Sequence, residues 1–288
     1  MTSKYRTEPQ VKFKAFRDLE KRRVAASDNV WALLVGSKLA VQTLSDVPDQ
    51  TALLADQYPD LAHVQRMNQR LDRAGQLLSA AEREVCTMAL NFAFGLHEDF
   101  VKSCIRLLVT LGKASNGAAN SNSDTMHERF ATATAHSMNA DALELFHLTR
   151  KIRNAYTHAA GLVREDLVTH YESLTTTQRE TWTALTREPF RVPSVGESAS
   201  LGVPGLIGAL AVQKRLAYDV NLGLQKAIPR DVWADIAVSD YIEESRKTVN
   251  GPTALRSVRG YQRPGFAALE LKDDELAAAI ERKKSGTL

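Results

Sequence analysis

The chain has little of what would place it in several common classes. Its 288 residues include two cysteines, nine prolines and fifteen glycines. That is too few for a disulfide framework, a collagen-like repeat or a Pro-rich linker protein. Cys86 and Cys104 share one helix-patterned segment, where eighteen helical residues would hold them about 27 Å apart, beyond the reach of a disulfide. Both thiols are expected to be reduced, which fits a cytoplasmic chain. The opening MTSKYRTEPQVKFK has no apolar signal-peptide core. The longest apolar run read along the chain, 202–212, is about half a membrane span, so no membrane partner is expected. A dominant charge is missing too. There are 37 Lys+Arg against 34 Asp+Glu, a net charge of +3, which excludes a uniformly basic protein and leaves room for local basic features.

What is present is ordinary globular composition, 44% hydrophobic and 25% charged, arranged almost throughout at helical spacing. The expected fold is all-α, a helical bundle in three regions: a basic N-terminal arm with helices (1–78), a central four-helix block (79–188), and a C-terminal helix pair with a basic tail (189–288). The arm carries Lys12, Lys14, Arg17, Lys21, Arg22 and Arg23 on a helix over 9–26. Ser27 is placed to cap a second, apolar helix to 44, and Pro59 to open another to 78. Ser79 and Glu82 match a capping box for a long helix to 112, whose core stripe reads Val85, Met88, Phe92, Leu96, Phe100, Ile105 and Leu108. Helices follow over 124–138 and 139–160, the second capped by Asn139 and ended by Gly161. Another begins near Arg164. Thr177 and Glu180 form a second capping-box match, and 190–204 is a loop. Helices over 204–228 and 230–247 meet at Pro229, and periodicity is then lost until about 273.

The densest polar constellation is LELFHLTRKIRNAYTHAAG. Arg150, Arg153, Asn154, Thr157 and His158 fall on one stripe, opposite an expected core face of Leu145, Leu148, Ile152, Ala155, Tyr156 and Ala159. The stripe holds no carboxylate. Cations beside an imidazole suit phosphate chemistry, because guanidinium groups grip phosphate and imidazole exchanges a proton near neutral pH.

Arg153-Asn-Ala-Tyr-Thr-His158 resembles the R-x4-6-H signature, often written RNxxxH, of the HEPN superfamily of small all-α domains. Two other pairs share the spacing, Arg129/His136 and Arg164/His170, but only the middle one has Asn directly after the Arg late in the third helix of a four-helix block. The resemblance spans about 110 residues, 79–188. It implies a metal-independent endoribonuclease with no cofactor, of the kind found in toxin–antitoxin and antiviral defence systems, acting as a homodimer with a neutralising or regulatory partner. His158 would be the general base or acid and Arg153 the phosphate holder. Asn154 would orient the phosphate or His158, and Arg150 and Lys151 would be accessory RNA contacts.

Outside that block, residues 245–269 hold Arg246, Lys247, Arg256, Arg259 and Arg263, no acid, and the aromatics Tyr261 and Phe266. Arg256, Arg259, Tyr261 and Arg263 are therefore candidate substrate-binding residues for backbone tracking and base stacking. They also frame the alternative, a non-catalytic α-helical nucleic-acid-binding or regulatory protein. Glu144-x-x-His147 has the spacing of one half of a di-metal site, with no second copy, so no metal is expected. Gly202, Gly205 and Gly208 follow no strand and read as turn and packing positions. His97, Glu98 and Asp99 are candidate supporting residues for the motif.

Overall fold

The computed structural model describes residues 8–159 and 161–286. Residues 1–7 of the expected arm and Ala160, at the expected end of the motif helix, lie outside them. Eleven α-helices follow in chain order: α1 (Lys14–Ser45), α2 (Leu54–Gln57), α3 (Leu71–Thr110), α4 (Met126–Thr134), α5 (Ala140–His158), α6 (Glu165–Ser173), α7 (Thr176–Thr186), α8 (Val203–Ala227), α9 (Arg230–Ser245), α10 (Ala254–Phe266) and α11 (Asp273–Lys284). Between them lie short 3-10 turns and two isolated β-bridges, Leu53 with Arg70 and Leu162 with Ser198. The all-α expectation holds.

The chain's compact units are built from segments that are not contiguous in sequence. There are two, interleaved, one from Met1–Arg22, Gly95–Leu143 and Val212–Leu288, the other from Arg23–Phe94 and Glu144–Ala211. All four crossings fall inside helices: α1, α3, α5 and α8.

In the first unit an aromatic core forms around Trp233. Phe13 meets its ring at 5.6 Å, Phe266 at 6.4 Å, and Phe16 joins through Phe100 at 5.8 Å. Residues 8–13 run as an extended clasp over this unit. Val11 N–H donates to Gln225 at 3.1 Å, Asn221 donates to the Val11 carbonyl at 2.7 Å, and Lys12 N–H donates to the Gly265 carbonyl at 2.5 Å. Burying these polar groups is tolerable because each finds a partner. Gly223 is required here, since a Cβ would come within 2.8 Å of the Phe130 ring.

The second unit buries Leu90, Phe94, Leu145, Phe146, Leu148, Ile152, Leu167 and Trp182. Gly208 lets α8 approach α7: a Cβ there would meet Thr186 Cγ2 at 2.8 Å and the Trp182 ring at 3.2 Å. The packing role expected of that glycine is what it performs.

Several expected boundaries move. Ser27 caps nothing, because α1 runs through it without a break. No single helix covers 59–78, where a 3-10 turn at Val64–Arg66 precedes the start of α3 at Leu71. Ser79 therefore lies inside α3, and its hydroxyl donates back to the Gly75 carbonyl at 2.9 Å. The capping box expected at Thr177 and Glu180 is formed instead by Thr175 and Gln178. On α3 the expected stripe is off register in its first half. Met88 and Phe92 are more than half exposed, while Cys86, Leu90 and Phe94 are buried. Asn139 does cap α5, its Oδ1 accepting Ala142 N–H at 2.8 Å, and Gly161 follows with φ +75°.

The two largest departures concern α1 and 248–272. Among the described residues α1 is the one helix long and apolar enough to span a membrane by length and composition, yet its apolar half is largely exposed, with Trp31, Leu33, Val35 and Leu39 open. The apolar run at 202–212, by contrast, lies in α8 and holds the buried residues Leu206, Ala209 and Val212. The stretch taken as aperiodic contains α10, a strongly amphipathic helix whose buried residues are Ala254, Val258, Gln262, Gly265 and Phe266.

Candidate functional site

None of the polar stripe residues on α5 is buried, and the core face opposite them is mostly as expected. Leu145, Leu148, Ile152 and Ala159 are buried. Tyr156 is not a core residue. It is half-buried, and its hydroxyl donates to Glu84 Oε2 at 2.5 Å, a bond that raises its pKa.

Helical geometry splits the stripe in two. Lys151, Asn154 and His158 sit within about 60° of one another around the helix, whereas Arg153 lies about 140° from His158. Arg150, Lys151, Asn154 and His158 line a cleft of about 260 Å³, joined by Arg164 and Asp166 and floored by Leu167. Three cations and an imidazole thus share one concavity with a single carboxylate. Lys151 Nζ donates to the Asp166 carbonyl at 3.2 Å, and Arg150 Nε donates to His147 Nδ1 at 3.4 Å. His158 and Arg164 are exposed at this cleft. Such a cleft concentrates positive potential on an anion of phosphate size.

Arg153 is not part of it. Its guanidinium carbon lies 5.2 Å from the centroid of the buried Phe94 ring, a cation–π arrangement, and Phe94 is in turn 4.9 Å from Phe146. Arg153 and His158 therefore do not converge within this unit. In the sequence Arg164 stands out only as one half of the Arg164/His170 spacing. No pattern on α5 reveals it, since it arrives from the connection that turns at Gly161 and opens α6.

Of the supporting trio, His97 is buried and its Nε2 lies 2.9 Å from Nε2 of the equally buried His127, with burial pushing the His97 pKa down to about 3. A ring held so far below the ordinary imidazole range is neutral throughout the physiological range. Asp99 is exposed between Arg22 and Arg106, and Glu98 pairs with Lys102 at 3.6 Å. Glu144 and His147 diverge: Glu144 faces His170 at 3.9 Å, while the His147 ring packs edge-on against Phe146. Among the described residues no group of three metal-ligating side chains comes together.

The C-terminal candidates are all on or beside α10. Arg256 and Arg263 are exposed on its outer face, and Arg259 is held by Asp273 through Nε at 2.7 Å. Tyr261 is not an open stacking surface. Its hydroxyl accepts from Arg17 at 2.6 Å and donates to Glu244 at 2.8 Å, its face is covered by the Arg17 guanidinium at 5.6 Å, and its edge meets Tyr241. Phe266 is fully buried against Trp233. Both aromatics serve to dock the helix.

Comparison of the chain with known family models, curated proteins and solved structures finds no match.

Proposed function

We propose that the chain acts on RNA phosphodiesters as a metal-independent endoribonuclease of the HEPN kind. The observation that supports this is the cleft on α5, where His158 and Asn154 stand beside Arg150, Lys151 and Arg164. The three cations hold the scissile phosphate and stabilise the charge that builds on its oxygens. His158 takes the proton from the ribose 2′-OH. The freed oxygen attacks phosphorus, the 5′ oxygen leaves, and a proton is returned to it. Because Arg153 and His158 diverge around one helix, a site using both is composite, each drawn from a different copy in a homodimer. A toxin or phage-defence role, with a neutralising partner, follows from the same resemblance.

A second reading rests on a different observation. Arg256 and Arg263, seven residues apart on the exposed face of α10, suit a non-catalytic nucleic-acid-binding protein that tracks a phosphate backbone.

One experiment separates the two. Purified protein is incubated with RNA in EDTA beside His158→Ala, with circular dichroism as the check on folding. Cleavage in EDTA that the variant loses supports the nuclease. RNA retained in a gel shift without cleavage by either protein supports the binding module, and cleavage unchanged in the variant removes His158 from the mechanism.

A further inference from the structure

Leu167 is a wall of two cavities. One is the cationic cleft; the other, of about 240 Å³, lies beneath the 190–202 loop in the same unit. The second has an aromatic wall of Tyr171 and Trp182, an apolar floor of Ile152 and Leu167, and Ser198 and Ser200 from the loop. Trp182 is 8% exposed. Among the described residues, neither its indole N–H nor the Tyr171 hydroxyl has a hydrogen-bond partner. Burial pushes the Tyr171 phenol up to about 12, so it remains a donor at any physiological pH. Neither donor atom is sealed from solvent, so each stays available to an acceptor that enters the cavity.

The loop above is held firmly. Arg191 grips both oxygens of Glu197, at 2.7 and 2.9 Å, and Phe190 packs 5.6 Å from Tyr171. Its backbone forms rungs with the segment that leaves α5. Val163 N–H donates to Glu197 at 2.8 Å, Gly196 N–H to Val163 at 2.9 Å, and Ala199 N–H to Gly161 at 2.7 Å. Gly161 stands three residues after His158, so the roof of this cavity and the imidazole of the cleft are anchored on one short stretch of chain.

Size and charge select the ligand. At 240 Å³ the cavity is below the roughly 300–1,000 Å³ of drug-sized sites, so it holds one ring system. Its charged lining residues are Glu188, Glu197 and Arg191, the last two paired to each other, which turns away phosphate. An aromatic wall, two N–H and O–H donors and two serine hydroxyls suit a neutral heteroaromatic ring with acceptor nitrogens or oxygens.

We propose that this cavity receives one nucleobase of the RNA whose phosphate occupies the neighbouring cleft, and so selects the nucleotide read at the site. The inference rests on the ribonuclease reading for its substrate, but its test does not depend on cleavage. The full chain is titrated calorimetrically with adenosine, guanosine, cytidine and uridine, and separately with inorganic phosphate. The same titrations are made on Tyr171→Phe and Trp182→Phe. Tyr171→Phe keeps its ring and removes only the hydroxyl donor, Trp182→Phe keeps one ring and removes the indole N–H with the rest of the bicycle, and circular dichroism checks that each variant folds.

The expected result is saturable binding of at least one nucleoside, weakened about 2- to 10-fold in Tyr171→Phe and in Trp182→Phe. Phosphate binding should be unaffected by either aromatic replacement. The proposal is overturned if no nucleoside binds, if binding is the same in both aromatic variants, or if phosphate competes with the nucleoside. Cleavage that depends on His158 without nucleoside binding would defeat this inference and leave the ribonuclease standing. Nucleoside binding that responds to Tyr171, in a protein without nuclease activity, would do the reverse.

Discussion

Asp240 Oδ2 accepts the backbone N–H of Lys14 at 2.6 Å, placing a buried carboxyl on the first residue of α1. Around it stand the cations of Lys14 and Arg17, the carboxyls of Glu243 and Glu244, and the Tyr261 hydroxyl. Burial outweighs the hydrogen bond and the nearby guanidinium, and the Asp240 carboxyl is pushed up to about 6. Its charged form is therefore disfavoured in the folded state. The stabilising contribution is full below the ordinary carboxylate value near 4 and is lost as pH rises through about 6. Wild-type stability measured by chemical denaturation should fall between pH 4.5 and 7.5 by on the order of 2 kcal/mol from this group. Asp240→Asn, whose amide oxygen still accepts from Lys14, should show a flatter profile. Equal slopes in the two proteins would remove Asp240 as the cause.

The continuity of α1 can be tested at Asp28. Were Ser27 a helix cap, position 28 would be the first helical residue and would welcome proline. In the unbroken helix it is an interior position, where proline removes a backbone hydrogen bond and clashes with the preceding turn. Asp28→Pro should cost about 3 kcal/mol in urea denaturation. A neutral or stabilising effect would mean that the chain breaks at Ser27 after all.

Arg164 makes a charge prediction free of any assumption about catalysis. If the cleft holds backbone phosphate, Arg164→Ala weakens RNA binding across sequences alike and lowers the slope of log K against log salt by about 1. Binding titrations at several salt concentrations read this directly. An unchanged slope would place the phosphate elsewhere.

Cys86 and Cys104 are both buried, and burial pushes the Cys86 thiol up to about 11 and that of Cys104 further in the same direction. Since the thiolate is the reactive species, neither should react appreciably with a disulfide reagent at pH 8 in the native protein. Both should react promptly once denaturant is added. Fast labelling of one thiol under native conditions would reveal local opening at that site.

The legible parts of this fold were those fixed by local chemistry. Asn139 caps α5 because its short side chain reaches the N–H of Ala142, and Pro229 separates α8 from α9 because it cannot extend a helix. Ser79 misled because a serine inside a helix can bond back to the carbonyl four residues earlier, here Gly75, as readily as it can cap. On α3 large side chains were assigned inward, yet Met88 and Phe92 are outside while the smaller Cys86 and Leu90 are in. Size does not decide facing where neighbouring helices set the register. α10 was hidden by Gly260 and Pro264, and its helix is maintained by tertiary burial of Val258 and Phe266 rather than by propensity. At the candidate site, the near-alignment of Lys151, Asn154 and His158 followed from helical spacing alone. The arrival of Arg164 and the withdrawal of Arg153 onto Phe94 depend on contacts that no local pattern encodes.

The clasp of residues 8–13 has a temporal consequence. Its partners Tyr218, Asn221, Gln225 and Gly265, like the Asp240, Glu244 and Tyr261 that seat Lys14 and Arg17, all lie more than 200 positions downstream. During synthesis, residues 8–13 cannot settle until the chain through Gly265 has emerged. Loop closure over such a span is slow and comes late. Residues 8–13 therefore settle only once the stretch through Gly265 is present, and its removal should leave them open to proteases.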